Sequence, residues 1–151
     1  MLEALAAMMV LNLLALGVLF GQFQAWQAQR DVLATQHAVA LAHDLWHRMQ
    51  INVRGQMHYQ WPSNTLPAVA DCERQACDEM QWAQADLLAW WTEVQLRMPG
   101  AQTQITTSAM PAPQVRLQFR WPMAYPFPSL TDQAQPDCPD RWHCWESTWR
   151  L

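Results

Sequence analysis

The opening stretch from Met1 to Gln22, MLEALAAMMVLNLLALGVLFGQ, constrains this chain more than any other. Ala4 to Phe20 is apolar except at Asn12 and Gly17. Wound as an α-helix at about 1.5 Å per residue, it nearly crosses a bilayer core. Glu3 stands at the mouth of this run, and no basic residue occurs before Arg30. A carboxylate beside hydrocarbon is costly, so it requires a partner or access to water. A secretory signal places positive charge ahead of its apolar core and a small-residue cleavage site behind it. Here no charge leads, and the helical pattern runs on past Gly21. The segment is therefore expected to be retained.

The helical signal continues but changes character. Ala34, Ala38, Leu41, Leu45, Met49 and Val53 recur at spacings of three and four, one apolar stripe. Gln36, His43, His47, Gln50 and Arg54 recur on the opposite side. No proline precedes Pro62, and the only glycines before Gly55 are Gly17 and Gly21, where a long helix can bend or open. One helix is expected from the N-terminus to about Arg54, greasy all round over 1–22 and amphipathic over 23–54. The remainder, 55–151, is expected to be a globular head.

Within the head, Gly55 to Ala70 is expected to be a loop, punctuated by Pro62, Ser63, Asn64 and Pro67. Asp78 with Gln81 three residues on predicts a capping box. Behind it Met80, Ala83, Leu87, Trp90/Trp91 and Val94 form a second amphipathic stripe, stopped by Pro99-Gly100. The period then changes to two. Gln104 to Ser108 is a short strand candidate, and Val115, Leu117, Phe119 and Trp121 alternate with Arg116, Gln118 and Arg120. Pro122 to Pro139 reads as a loop, and Trp142 to Leu151 as a final strand. Helices first and strands afterwards give an α+β order, with both helices against a small antiparallel sheet.

Four cysteines form two short-range pairs, Cys72/Cys77 and Cys138/Cys144. An even count beside a membrane segment points to an oxidising compartment and disulfides. Zinc knuckles are more tightly spaced than CERQAC or CPDRWHC. The net charge of −4 and the absence of lysine argue against a nucleic-acid surface, and no cofactor motif stands out. His43-Asp44-Leu45-Trp46-His47 mimics a zinc-peptidase helix, which would put both imidazoles on one face with an acid as base. The acid is Asp, however, no third ligand follows at useful spacing, and both histidines fall on the polar face. A solvated face with an Asp44–Arg48 pair is expected instead. Trp82, Trp90 and Trp91 are expected mostly in the core. Trp142, Trp145 and Trp149 are read as sheet core or an aromatic partner patch, with core favoured.

A long helix, greasy then amphipathic, ahead of a small disulfide-bearing sheet domain resembles a type IV pilin. MLEALAAMMVLNLLALG is similar to the mature pilin start from its third residue onward, with Glu3 in the place of the family's glutamate. LAHDLWHRMQINVRG (Leu41 to Gly55) and CDEMQWAQADLLAWWTEVQLRMPG (Cys77 to Gly100) are similar to the corresponding helices of PilV-type minor pilins. The resemblance covers roughly Met1 to Trp121. It implies a pilin fold and a non-catalytic subunit, in the bacterial inner membrane with a periplasmic head and then in the pilus. It implies subunit assembly through Glu3. The implied partners are other minor pilins, the major pilin and a tip adhesin. The same features fit a minor pseudopilin of type II secretion, and a membrane-tethered zinc peptidase on His43 and His47 is the reading from another class. Pilins carry a basic leader ending in glycine, so translation is expected to begin upstream of Met1.

Overall fold

The computed structural model describes residues 2–61, 71–109, 112–122, 138–139 and 141–151. Of the loop expected from Gly55 to Ala70, residues 62–70 lie outside them, as do Pro111 and most of the stretch between Pro122 and Pro139, while its first residues belong to a 3-10 turn instead. Elements follow in the order α1 (Leu2–Ile51), a 3-10 turn (Val53–His58), α2 (Glu79–Arg97), β1 (Gln102–Ser108), β2 (Gln114–Pro122) and β3 (Trp142–Arg150). The architecture is α+β. The chain divides into two compact units, Met1–Thr35 and Gln36–Leu151, and α1 contributes to both.

In the first unit α1 is uninterrupted through Gly17 and Gly21, and a Cβ at either would meet nothing within 4 Å. Its eleven large apolar side chains between Leu5 and Phe20 are each 57–69% exposed.

The second unit owns the core. The stripe on α1 buries Ala38, Leu41, Leu45 and Met49, and that on α2 buries Ala83, Leu87, Trp90 and Val94. The helices meet where the Trp90 indole N–H donates to the Leu41 carbonyl at 2.8 Å, in a fully buried bond. The sheet is antiparallel in the order β1-β2-β3, with Ile105 opposite Leu117 and Phe119 opposite Trp145. Cross-strand partners share a face, so Val115, Leu117, Phe119 and Trp121 turn towards the helices together with Trp145 and Trp149. β2 and β3 each have a helix partner above them. Trp90 of α2 meets Phe119 edge-on at 5.7 Å, and Trp46 of α1 stacks on Trp149 at 5.5 Å. Beside β1, Trp61 exchanges both backbone hydrogen bonds with Ile105 and leans on Trp91.

Three expectations need correction. α1 ends at Ile51 rather than near Arg54, because Asn52 leaves helical geometry (φ −99°, ψ 62°) and the chain tightens into the 3-10 turn. Val53 therefore leaves the apolar stripe and is exposed. On α2, Trp82 and Met80 are also exposed. Trp82 lies about 100° round the helix from Ala83, and Met80 belongs to the first turn. The C-terminal tryptophans are less enclosed than core residues: Trp142, Trp145 and Trp149 are all half-buried along edge strand β3, and Trp145 and Trp149 only flank the core, against Phe119 and Trp46.

Candidate assembly site

Glu3 occupies the first turn of α1, where the helix macrodipole favours a carboxylate. It is exposed, and among the described residues no hydrogen bond or ion pair engages it. Asn12, the other polar side chain of the run, is different. Its amide donates to the Met8 carbonyl at 2.9 Å, one turn back, so one of its two N–H donors is satisfied inside its own helix. An 18-residue window here has a mean hydropathy of 2.3 and none of it is buried. By length and composition this helix can cross a membrane; a signal sequence passes the same test. Burying eleven such side chains is worth on the order of 15–30 kcal/mol, so the segment demands apolar surroundings.

In the head, a polar clasp joins the end of α1 to α2. Arg48 binds Asp44 at 2.9 Å within α1 and reaches Asp86 of α2 at 3.6 Å. The other Asp86 oxygen accepts the Tyr59 hydroxyl at 2.5 Å. The same hydroxyl lies 3.5 Å from the Arg48 carbonyl, but one proton serves one acceptor well, and the shorter charge-assisted bond takes it. Tyr59 is fully buried. That burial, and then the hydrogen bond and negative charge of Asp86, push its phenol above the ordinary value of 10.0.

One turn along, Asn52 works in both directions. Its carbonyl oxygen accepts from Gly55 N at 3.2 Å, and its amide donates to the Glu79 carbonyl at 3.0 Å. Gln56 donates to the Met49 carbonyl, one of the acceptors that the end of a helix leaves open. The 3-10 turn passes so close to α2 that a Cβ on Gly55 would stand 2.6 Å from the Glu79 carbonyl oxygen and overlap the Asn52 amide. Asp44, Arg48 and Asn52 share one face at helical spacing, and the structure gives each a partner.

Both expected disulfides form, Cys72–Cys77 and Cys138–Cys144. The first closes the turn directly ahead of α2. There Asp78 accepts from Gln81 N at 2.8 Å and the Gln81 side chain accepts from Asp78 N at 3.0 Å, the capping box its sequence spelled out. His43 and His47 lie exposed on α1, and among the described residues no three His, Cys, Asp or Glu side chains gather as metal ligands. An open groove of about 310 Å³ between the helices is lined by Asp44, Arg48, Glu93 and Arg97. Its charges are spent on each other, Asp44 with Arg48 and Glu93 with Arg97.

Sequence reasoning anticipated the pairing of the four cysteines and the Asp44–Arg48 pair, and it singled out Glu3. It missed Asn52, Gly55, Tyr59 and Asp86. The available signals were an acid flanking the buried stripe of α2 at Asp86, and Asn52 three residues before a glycine. The chain matches no family model, no curated protein and no solved structure.

Proposed function

We propose that this chain is a minor pilin of the PilV kind, a non-catalytic subunit that helps initiate type IV pilus assembly with other minor pilins, the major pilin and a tip adhesin. The apolar half of α1 holds it in the bacterial inner membrane, with the head in the periplasm, until it joins the fibre. One observation carries the reading. A helix whose apolar half is wholly uncovered and opens on the carboxylate Glu3 continues unbroken into the buried stripe of a disulfide-bearing α+β head. The clasp supports it, because Asp44, Arg48 and Asn52, the polar residues of the pilin-like helix end, each have a structural partner.

In this mechanism Glu3 neutralises the free α-amino group of a neighbouring subunit inside an apolar bundle. The test is Glu3→Ala in a piliated cell. Membrane level is expected to hold, since removing a carboxylate eases insertion. The amount in sheared pili is expected to collapse, because breaking a buried ion pair from one side costs about 3–5 kcal/mol. Normal incorporation of the variant would refute the role of Glu3. Deletion that spares piliation but abolishes protein secretion would move the chain to the pseudopilins.

A further inference from the structure

Directly after its apolar run, α1 reads QFQAWQAQR over residues 22–30. Trp26 is 59% exposed, and the guanidinium carbon of Arg30, one turn on, lies 5.4 Å from its ring centroid. That is within cation–π range. Arg30 is the first cation of the chain. Indole and guanidinium suit the same layer of a bilayer: the amphipathic ring settles at head-group level, and the planar cation binds phosphate in a fork.

Length places them there. From Glu3 to Trp26 the helix rises about 35 Å, against a hydrocarbon core of roughly 30 Å. A helix with Glu3 in one interfacial layer therefore carries Trp26 into the other. The neighbouring glutamines are polar enough to avoid hydrocarbon but uncharged, so the attraction to phosphate falls to Arg30. We propose that Trp26 and Arg30 form a phospholipid head-group anchor, the indole at the hydrocarbon boundary and the guanidinium on lipid phosphate, and that this pair fixes the depth of α1. The inference rests on the membrane-spanning reading of the apolar run.

Depth fixation is testable in the full-length chain, whose native cysteines are all paired. Single variants Ala15→Cys and Ala28→Cys are reconstituted into phosphatidylcholine vesicles of short, medium and long acyl chains. Labelling by a membrane-impermeant maleimide is then normalised to labelling in detergent. With the anchor intact, Ala28→Cys is expected to react equally fast at every thickness. With Trp26→Ala and Arg30→Gln added, its reactivity is expected to fall severalfold in the thickest bilayer. The same thickness dependence with and without the pair would overturn the anchor while leaving the span standing, provided Ala15→Cys stays protected. Rapid labelling of Ala15→Cys would remove the span itself and the anchor with it. Protection of Ala28→Cys that appears only at high protein-to-lipid ratio would assign the pair to a neighbouring chain and refute a lipid partner.

Discussion

Replacing Asp86 by Ala tests whether the clasp between α1 and α2 is energetic or merely geometric. The Tyr59 hydroxyl is buried and donates to an ionised acceptor at 2.5 Å, the kind of bond worth about 1.5–3 kcal/mol. The second contact, Arg48 to Asp86 at 3.6 Å, joins side chains that are 31% and 25% exposed. Water screens it, and Arg48 keeps Asp44, so it adds only about 0–1 kcal/mol. Against both, Ala raises helix propensity in mid-α2 by about 0.5 kcal/mol. The net expected loss for Asp86→Ala is therefore about 1–3.5 kcal/mol, read from urea unfolding of the full chain in detergent micelles by tryptophan fluorescence. Tyr59→Phe removes the same bond from the other side but leaves Asp86 its Arg48 partner, and should cost less. Because the two changes delete one shared interaction, the double variant is expected to fall short of the sum by at least about 1 kcal/mol. Additivity within about 0.5 kcal/mol would show that the two groups do not act through each other, and the clasp would reduce to proximity.

Alkaline titration should see the same bond. A phenol whose folded pKa is raised stabilises fully below its unfolded value of 10.0, and that stability drains away as pH climbs from there towards the folded value. The head should therefore lose stability above about pH 10, and Tyr59→Phe should flatten that loss; an unchanged alkaline slope would contradict it. Gly55→Ala is expected to destabilise the head by about 1–3 kcal/mol, since the new methyl meets the Glu79 carbonyl, which cannot rotate away as a side chain could. An unchanged urea midpoint would mean that the turn and α2 part easily.

What could be read from the sequence was whatever is written in local periodicity. The stripe from Ala38 to Met49, the alternation from Val115 to Trp121 and the Asp78/Gln81 box each repeat within a few residues, and each is found in place. Both disulfides were legible because short spacing restricts partners. Tyr59 and Asp86, by contrast, lie 27 residues apart, and nothing in either neighbourhood names the other. Gly55 stood only as the first residue of an expected loop, yet its role is to let backbone approach backbone, which is a property of the folded chain. Trp82 misled because an aromatic residue beside a stripe resembles one in it. Val53 misled because the register was right and the helix had ended.

The exposed run of α1 poses a sharper question than what covers it. Its burial is worth on the order of 15–30 kcal/mol, more than the roughly 5–15 kcal/mol that holds a typical domain folded, so insertion into lipid is easily driven. Lipid, however, is as apolar as the flank of another such helix. Moving the run from bilayer to a bundle of helices therefore gains little from the hydrophobic effect, and polar groups and close packing must decide. Asn12 has one N–H already bound to the Met8 carbonyl, and its remaining groups can form only neutral hydrogen bonds, weaker than a charge-assisted contact. Gly17 and Gly21 permit close approach without demanding it, since among the described residues none lies within 4 Å of a Cβ at either. In the proposed mechanism Glu3 gains in the bundle what neither lipid nor its own helix supplies, a cation at short range in a low dielectric. On the proposed reading, anchoring belongs to the apolar residues and assembly to one carboxylate. Substituting any single leucine of the run should accordingly leave incorporation nearly intact, while Glu3→Ala should not.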